Sequence, residues 1–278
     1  MSSPSVASTE FYKTSPAIRA GGSAQDLESA AAYFNRYVRF VSSHVERGSA
    51  VLELGSSTGM AAAILSRAGY RVVATDVCHP FFRRELRSTT LRFTGADNSQ
   101  LPFGDGTFDA VASYQVLEHS SDPARALDEM IRVLKPGGRL LVAGPNLIGL
   151  VPSARVLLLV LPRTRPLRRW FVRDTRAARY PFGSTYPEVV AVLLKNLWRV
   201  VKKLVDPQAT FLMRTPDFRD GMHADADSSY LLNPIDIVKY VKGRGFHVER
   251  RRGDGPLGFL GPLAGGTWVA LRKPASSL

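Results

Sequence analysis

The sequence lacks three features that would each point to a particular class of protein. Of its 278 residues only Cys78 is a cysteine, which excludes an intrachain disulfide and a cysteine-based metal cluster and favours a reducing compartment. The most apolar stretch, residues 147–162, contains Pro152 and Arg155 and is too short to span a membrane. The first ten residues have neither a basic start nor an apolar run, so we expect residues 1–25 to be a flexible segment and not a secretory signal.

Acidic residues are scarce in one part of the chain only. The formal net charge is +13, and residues 147–215 contain thirteen Lys and Arg against three Asp and Glu. Residues 1–146 contain fifteen against fourteen. This local excess predicts one basic interacting surface, whereas a uniformly basic chain would indicate general affinity for nucleic acid.

Strand and helix patterns alternate along most of the chain. Apolar residues at helical spacing predict a helix over residues 26–45. Asp122 followed by Pro123 predicts the start of another, which the Pro-Gly-Gly at 136–138 should end, and a further helix is expected over 233–242. Such alternation is typical of a parallel sheet wrapped on both faces. We therefore expect an α/β fold with a doubly wound, mostly parallel seven-stranded sheet, its strands at 50–54, 71–75, 91–94, 108–113, 139–144, 246–250 and 267–272.

The chain is expected to carry a large insertion within this sheet. Almost ninety residues separate the fifth strand from the helix at 233, far more than an ordinary connection needs. We predict a core over residues 26–146, a basic and partly apolar helical lid over 147–230, and completion of the sheet by 231–278.

A glycine-rich turn follows the first strand, and acidic residues follow the next two. Gly55 and Gly59 allow a sharp bend and a close approach to a ligand, and the turn leads into a helix N-terminus. Asp76 stands twenty-one residues after Gly55 at the tip of the second strand, where a carboxylate can accept both hydroxyls of a ribose. Asp97, past the third strand, is placed to accept a hydrogen bond from an adenine amino group. The turn lacks the G-x-G-x-x-G of nicotinamide oxidoreductases, which argues against that class.

The ordered motifs resemble those of a known family. ELGSSTG, VVATDV, GADNSQLPF, FDAVASYQVLEH and RVLKPGGRLLVAGPN together are similar to the class I S-adenosylmethionine-dependent methyltransferases, over roughly residues 30–147. The resemblance implies a Rossmann-like methyltransferase fold that binds S-adenosyl-L-methionine. It also implies a cofactor site of ten residues. Glu53, Gly55, Ser57 and Gly59 would surround the methionine part of the cofactor, and Tyr114 and Gln115 would lie beside the sulfonium. Asp76 would bind the ribose with Val77 beside it, and Asp97 and Asn98 would bind the adenine.

One position departs from the family pattern. Ser57 stands where the family usually has glycine. Serine is small, so we expect the turn to tolerate it. Its presence also leaves open an alternative function, that of a non-catalytic protein that binds the cofactor or acts as a membrane scaffold.

Two histidines are candidates for a general base. Methyl transfer from a sulfonium mainly requires alignment and exclusion of water, and a base is needed only for a hydroxyl or protonated amine acceptor. His119 follows the fourth strand. A purely structural role at the start of a helix is the simpler interpretation of this residue. His223 lies in an acidic run, residues 217–227, for which a solvated loop is the simpler reading. The spacing in that run fits no dedicated metal site, so no metal is predicted.

The basic insertion contains two amphipathic blocks, residues 147–179 and 189–205. Two interpretations fit these blocks. They form either a lid, which docks on an anionic membrane or captures a lipid-linked acceptor, or an ordinary helical cap whose basic face is solvated.

The leading interpretation is a methyltransferase for a small or lipid-linked acceptor, with O-methylation preferred over C- or N-methylation. It is expected to be cytoplasmic or peripheral at the inner face of a membrane. An RNA methyltransferase is the alternative within enzymes, because arginines with interleaved aromatic residues also bind phosphates and bases. No RNA-binding module is recognisable, so a nucleic-acid partner is the weaker prediction.

Overall fold

The fold is built on one seven-stranded sheet. A computed structural model describes residues 26–150, 185–216, 227–251, 263 and 265–275. The strands are β1 (Ala50–Leu54), β2 (Arg71–Asp76), β3 (Leu91–Gly95), β4 (Phe108–Tyr114), β5 (Leu134–Gly144), β6 (His247–Arg251) and β7 (Thr267–Arg272).

The strand order is β3-β2-β1-β4-β5-β7-β6, and β7 alone runs antiparallel to both of its neighbours. The other adjacent pairs are parallel, so the predicted doubly wound, mostly parallel sheet is confirmed.

Four of the five described α-helices begin at polar capping residues. Asp26, Asp122 and Asn233 each accept a hydrogen bond from a backbone amide of the first turn, and Thr185 forms a reciprocal capping box with Glu188. The helices are α1 (Leu27–Ser42), α2 (Met60–Arg67), α3 (Pro123–Val133), α4 (Tyr186–Val205) and α5 (Pro234–Lys242).

The sheet has an apolar layer on each face. On one face α1 and α2 pack through residues such as Phe40 and Leu65. On the other, α3 and α5 pack through residues such as Met130 and Ile237. Because parallel strands are covered on both sides, their residues are apolar almost without interruption.

The fifth strand begins earlier than predicted. Helix α3 ends at Val133 and β5 starts at Leu134, so the segment 136–138, which was expected to end the helix, lies in the strand. Leu134 pairs with Phe108, and the register then shifts before the regular pairing resumes. Proline and glycine are accommodated in this strand because the irregular pairing relaxes the need for a continuous ladder.

Helix α4 is fixed to the core by a buried ion pair. Lys203 Nζ lies 2.6 Å from both carboxylate oxygens of Asp236 on α5, and the Tyr230 hydroxyl and Asn233 amide donate to the same carboxylate. The lid over 147–230 stays a prediction, since residues 151–184 and 217–226 are outside the described part. None of the described helices is both long and apolar enough to cross a membrane.

Candidate functional site

The predicted cofactor residues lie at one edge of the sheet. Strand β1 has β2 on one side and β4 on the other, so the chain reverses its winding direction there. Ligands of doubly wound sheets bind at the carboxyl ends of the strands beside such a switch point. The ends of β1, β2, β3 and β4 carry all ten residues of the predicted set.

The turn after β1 holds three residues with left-handed backbone. The φ angles of Gly55, Ser57 and Gly59 are +63°, +49° and +85°. A Cβ at Gly55 would lie 2.4 Å from Val116, and a Cβ at Gly59 would lie 2.4 Å from Phe93. Both glycines are therefore required by backbone conformation and by close packing of protein against the turn, whereas Ser57 is exposed and accepts the left-handed geometry.

Asp76 joins the ends of β1 and β2. Its Oδ2 accepts a 2.8 Å hydrogen bond from the Ser57 amide, and its Oδ1 accepts one of 2.7 Å from the Cys78 amide. Burial raises the pKa of Asp76, and these two amides and the nearby His79 partly oppose that shift. Each carboxylate oxygen can accept two hydrogen bonds, so two sites remain for an incoming pair of hydroxyls.

Glu53 is a buried carboxylate one residue before the end of β1. Burial raises its pKa to about 7, and the negative charge of Asp76 adds to the shift. The Ser56 hydroxyl donates to Oε2 at 2.8 Å, and both this contact and that of the Tyr37 hydroxyl lower the pKa. A carboxyl group whose pKa lies near 7 is suited to a positively charged ligand, because such a ligand would stabilise its ionised form.

The end of β3 forms a compact polar turn. Asp97 accepts hydrogen bonds from the amide and hydroxyl of Ser99 at 2.8 and 2.7 Å, and its side chain is exposed. Asn98 is half-buried beside it, and Val77 is an exposed apolar residue following β2. An exposed acceptor near an apolar side chain suits a flat, hydrogen-bonding ring such as adenine.

Aromatic side chains close the site beyond β4. The Tyr114 ring stacks on Tyr37 with centroids 5.0 Å apart and lies 6.1 Å from Trp268. Gln115 has φ +56°, and its amide donates to the Ala143 carbonyl at 2.8 Å. Left-handed backbone in a residue other than glycine is concentrated at functional sites, and here Ser57 and Gln115 both lie at this edge.

Sequence reasoning overlooked two neighbours of the site. His79 lies against Gly95, and its positive charge would lower the pKa of Asp76. Tyr37 is buried in the core, and its hydroxyl contacts Glu53. A histidine three residues after Asp76 was visible in the sequence, whereas the Tyr37 contact depends on how α1 crosses the sheet.

One of the two candidate bases is described. His119 ends a short 3₁₀ helix after β4, and its Nδ1 lies 3.0 Å from Oδ2 of Asp227. The segment holding Asp227 is bound to the same turn, because the amides of Ser229 and Tyr230 donate to the Glu118 carbonyl. His223 lies outside the described residues. The described residues contain no cluster of three His, Cys, Asp or Glu side chains suited to a metal ion.

Comparison with known proteins identifies the segment that carries this edge. Residues 52–142 match the protein family described as a methyltransferase domain. This segment is therefore similar to methyltransferase domains. Over 99 residues the chain is 38% identical to a demethylmenaquinone methyltransferase of Clavibacter sepedonicus. The aligned region covers 34% of this chain and 40% of that relative. Over 110 residues it is 38% identical to a ubiquinone/menaquinone biosynthesis C-methyltransferase of Idiomarina loihiensis, covering 36% and 44%.

The methyltransferase domain also has a structural counterpart. A Listeria monocytogenes protein assigned to the S-adenosylmethionine-dependent methyltransferases superposes with a TM-score of 0.53 at 12% identity, over 87% of this chain and 99% of that one. At this identity the likeness concerns the fold alone. The chain spans less than half the length of the two named relatives.

Proposed function

We propose that the protein is an S-adenosylmethionine-dependent methyltransferase acting on a small or lipid-linked acceptor. The observation that carries the proposal is the convergence of Glu53, Asp76 and the strained turn at Ser57 on one sheet edge. Two carboxylates and a bent backbone at a topological switch point match a ligand with a ribose at one end and positive charge at the other.

The binding residues have distinct roles in this proposal. Asp76 accepts the two ribose hydroxyls on the lone pairs that Ser57 and Cys78 leave open. Asp97 and Asn98 bind the adenine, with Val77 against its ring. The turn at Gly55–Gly59 and Glu53 hold the amino acid end. Tyr114 and Gln115 border the sulfonium, where the electron-rich face of an aromatic ring favours a cation.

The bound cofactor supplies an activated methyl group. The protein then has to align the acceptor with that group and exclude water. We assign His119 as the general base and Asp227, 3.0 Å away, as the carboxylate that orients its ring and stabilises its protonated form. His223 remains a second candidate base, placed by the sequence in the acidic run that ends at Asp227.

A hydroxyl oxygen is the proposed acceptor atom, because a paired histidine base is useful where a proton must leave. The relative from Idiomarina loihiensis is named a C-methyltransferase, which makes a carbon beside a phenolic hydroxyl the alternative. The names of both relatives also favour an apolar, quinone-type acceptor.

An apolar acceptor gives a role to helix α4. Its exposed face carries Leu194, Leu197, Trp198, Val201 and Leu204, which are between 44% and 67% exposed. Lys195 and Lys202 are exposed beside this stripe, and Glu188 is the one acidic residue in the helix. Apolar side chains flanked by lysines suit the surface of an anionic bilayer, so we propose that α4 brings the domain to a membrane that holds its acceptor.

Two experiments test these proposals. Purified protein is incubated with radiolabelled methyl donor and either phenolic quinone precursors or total lipid extract. His119→Ala and a control at an exposed histidine, His247→Ala, are assayed in parallel. Label should enter an organic-soluble product, and His119→Ala should reduce the rate by about 100-fold or more. Binding of the donor with no transfer to any extract would favour the non-catalytic alternative, and transfer to RNA would favour the RNA methyltransferase.

The membrane role is tested separately. Sedimentation with phosphatidylglycerol vesicles should exceed that with phosphatidylcholine vesicles, and Trp198→Glu should abolish the difference while Tyr33→Glu, an exposed aromatic on α1, should not. Equal binding to both vesicle types, unaffected by salt, would contradict the docking role of α4 without affecting the methyltransferase proposal.

A further inference from the structure

The loop between β3 and β4 is bound to one face of helix α3. Residues 97–103 of this loop begin with the two proposed adenine contacts. Arg125, Glu129 and Arg132 are spaced at i, i+4 and i+7, so they lie on one face of the helix, and together they form the α3 clamp. Met130 on the neighbouring face is fully buried against the sheet, so the clamp stands on a fixed support.

Arg132 uses every donor of its guanidinium. Its Nε and Nη2 donate to the two carboxylate oxygens of Glu129 at 2.7 and 2.8 Å. Its Nη1 donates at 2.8 Å to the Phe103 carbonyl and to Oδ1 of Asp105, and Nη2 also donates at 3.0 Å to the Leu101 carbonyl. A guanidinium has five N–H groups, so none of those of Arg132 is left for a ligand. This residue therefore acts on the loop and not on a substrate.

Glu129 binds the same part of the loop as an acceptor. Its Oε2 accepts a 2.7 Å hydrogen bond from the Leu101 amide, so both backbone groups of Leu101 are bonded to α3. The hydrogen bonds from Arg132 lower the pKa of Glu129, which keeps its carboxylate charged at neutral pH. The Leu101 side chain is buried in the apolar layer that α3 shares with α5. Polar and apolar contacts thus fix the middle of the loop.

Arg125 binds the loop next to the carboxylate proposed for adenine. Its Nε donates to the Ser99 carbonyl at 3.0 Å. The amide and hydroxyl of Ser99 both donate to Oδ1 of Asp97. These two bonds occupy Oδ1, so Oδ2, to which no described residue donates, is the oxygen left for an adenine amino group. A chain of hydrogen bonds therefore leads from α3 to the Asp97 carboxylate.

We propose that the residues of the α3 clamp are positioning residues for recognition of the adenine base, which orient the Asp97 carboxylate before the cofactor binds. The inference rests on the proposed S-adenosylmethionine site and adds to it the part of the chain that selects the base. A group already held in its bound orientation loses little conformational entropy when the ligand arrives. A loop released from α3 keeps Asp97 but loses this advantage, so it should distinguish adenine from related bases less well.

Two ligands that differ only in the base separate this positioning role from a role in folding alone. In S-inosylhomocysteine a carbonyl oxygen replaces the adenine amino group of S-adenosylhomocysteine, so it presents an acceptor to the Asp97 carboxylate. Calorimetric titration of the full chain gives both dissociation constants, and their ratio measures selection of the base. Wild type should bind the adenine ligand more tightly by about 10-fold or more, because a carboxylate that meets a second acceptor is left unpaired.

Two variants of the α3 clamp should lower this ratio. Arg125→Gln, at an exposed position, should lower it by about 3-fold, and Arg132→Met, which removes every bond of that guanidinium, by about 5-fold or more. The exposed position of Arg125 keeps the test available should Arg132→Met not fold. Arg139→Gln is the matched control, because Arg139 forms a 3.0 Å ion pair with Glu249 and is about as exposed as Arg132, and its ratio should equal that of wild type.

The possible outcomes separate this inference from the function on which it rests. A ratio unchanged in both clamp variants, with the two ligands weakened by the same factor or not at all, would show that the clamp serves folding alone and would overturn the inference. Failure of wild type to bind either ligand would instead contradict the proposed S-adenosylmethionine site, and the inference with it.

Discussion

The backbone amide of Ser57 donates a 2.8 Å hydrogen bond to Oδ2 of Asp76. This bond joins the turn after β1 to the end of β2, and it fixes the carboxylate at the switch point of the sheet. The one position that departs from the family pattern is therefore also the position that holds the central acidic residue.

Asp76→Asn keeps the shape of the side chain and removes its charge. If Asp76 accepts ribose hydroxyls, affinity for S-adenosylmethionine should fall by about 1.5–3 kcal/mol, the usual contribution of hydrogen bonds to a charged group. Calorimetry measures the change, and Asp105→Asn, at an exposed turn before β4, is the control. An unchanged dissociation constant for Asp76→Asn would remove the assigned role.

Glu53 should make stability depend on pH. Its pKa is about 7 in the folded protein against an ordinary 4.5, so the unfolded chain loses this proton first as pH rises. The free energy of unfolding therefore falls between pH 4.5 and 7 and is constant above that range, as far as this group is concerned.

Glu53→Gln removes this dependence. Relative to wild type, the variant should gain about 3 kcal/mol between pH 4.5 and pH 8 in urea unfolding experiments, because the charged form is no longer buried. Glu46→Gln, at an exposed position, should show no such trend. Parallel pH profiles for wild type and Glu53→Gln would show that Glu53 ionises normally.

Gly59→Ala and Gly48→Ala form a matched pair, since both glycines have φ +85°. A Cβ at Gly48 meets nothing within 4 Å, whereas one at Gly59 lies 2.4 Å from Phe93. Gly48→Ala should cost about 1–2 kcal/mol of backbone strain, and Gly59→Ala about 1–3 kcal/mol more from overpacking. Chemical denaturation checks both, and equal losses would mean that Phe93 moves aside freely.

The Lys203–Asp236 pair should be strongly coupled. Lys203→Met leaves a carboxylate buried without its cation and should cost about 3–5 kcal/mol. Adding Asp236→Asn should recover part of that loss, because the uncompensated charge is removed. Lys202→Met, the exposed neighbour, serves as the control in urea titrations. A double variant as unstable as the sum of the single ones would argue against direct coupling.

Local patterns were sufficient for the strands, most helix starts and the acidic residues of the site. The capping residues Asp122 and Asn233 are recognisable because a side chain that binds the first turn needs no distant partner. The edge residues were predictable because strand ends in a parallel sheet lie side by side. The start of β5 was not predictable from the sequence, since Leu134 belongs to the strand only through its pairing with Phe108.

The sequence by itself determined the alternation of strands and helices, the glycine turn and the carboxylates at the ends of β1, β2 and β3, because each depends on neighbours along the chain. Only the tertiary structure decided that Asp227 meets His119 and that Lys203 meets Asp236. Those relationships join residues far apart in sequence, and burial, which also sets the pKa of Glu53, exists only once the layers have packed.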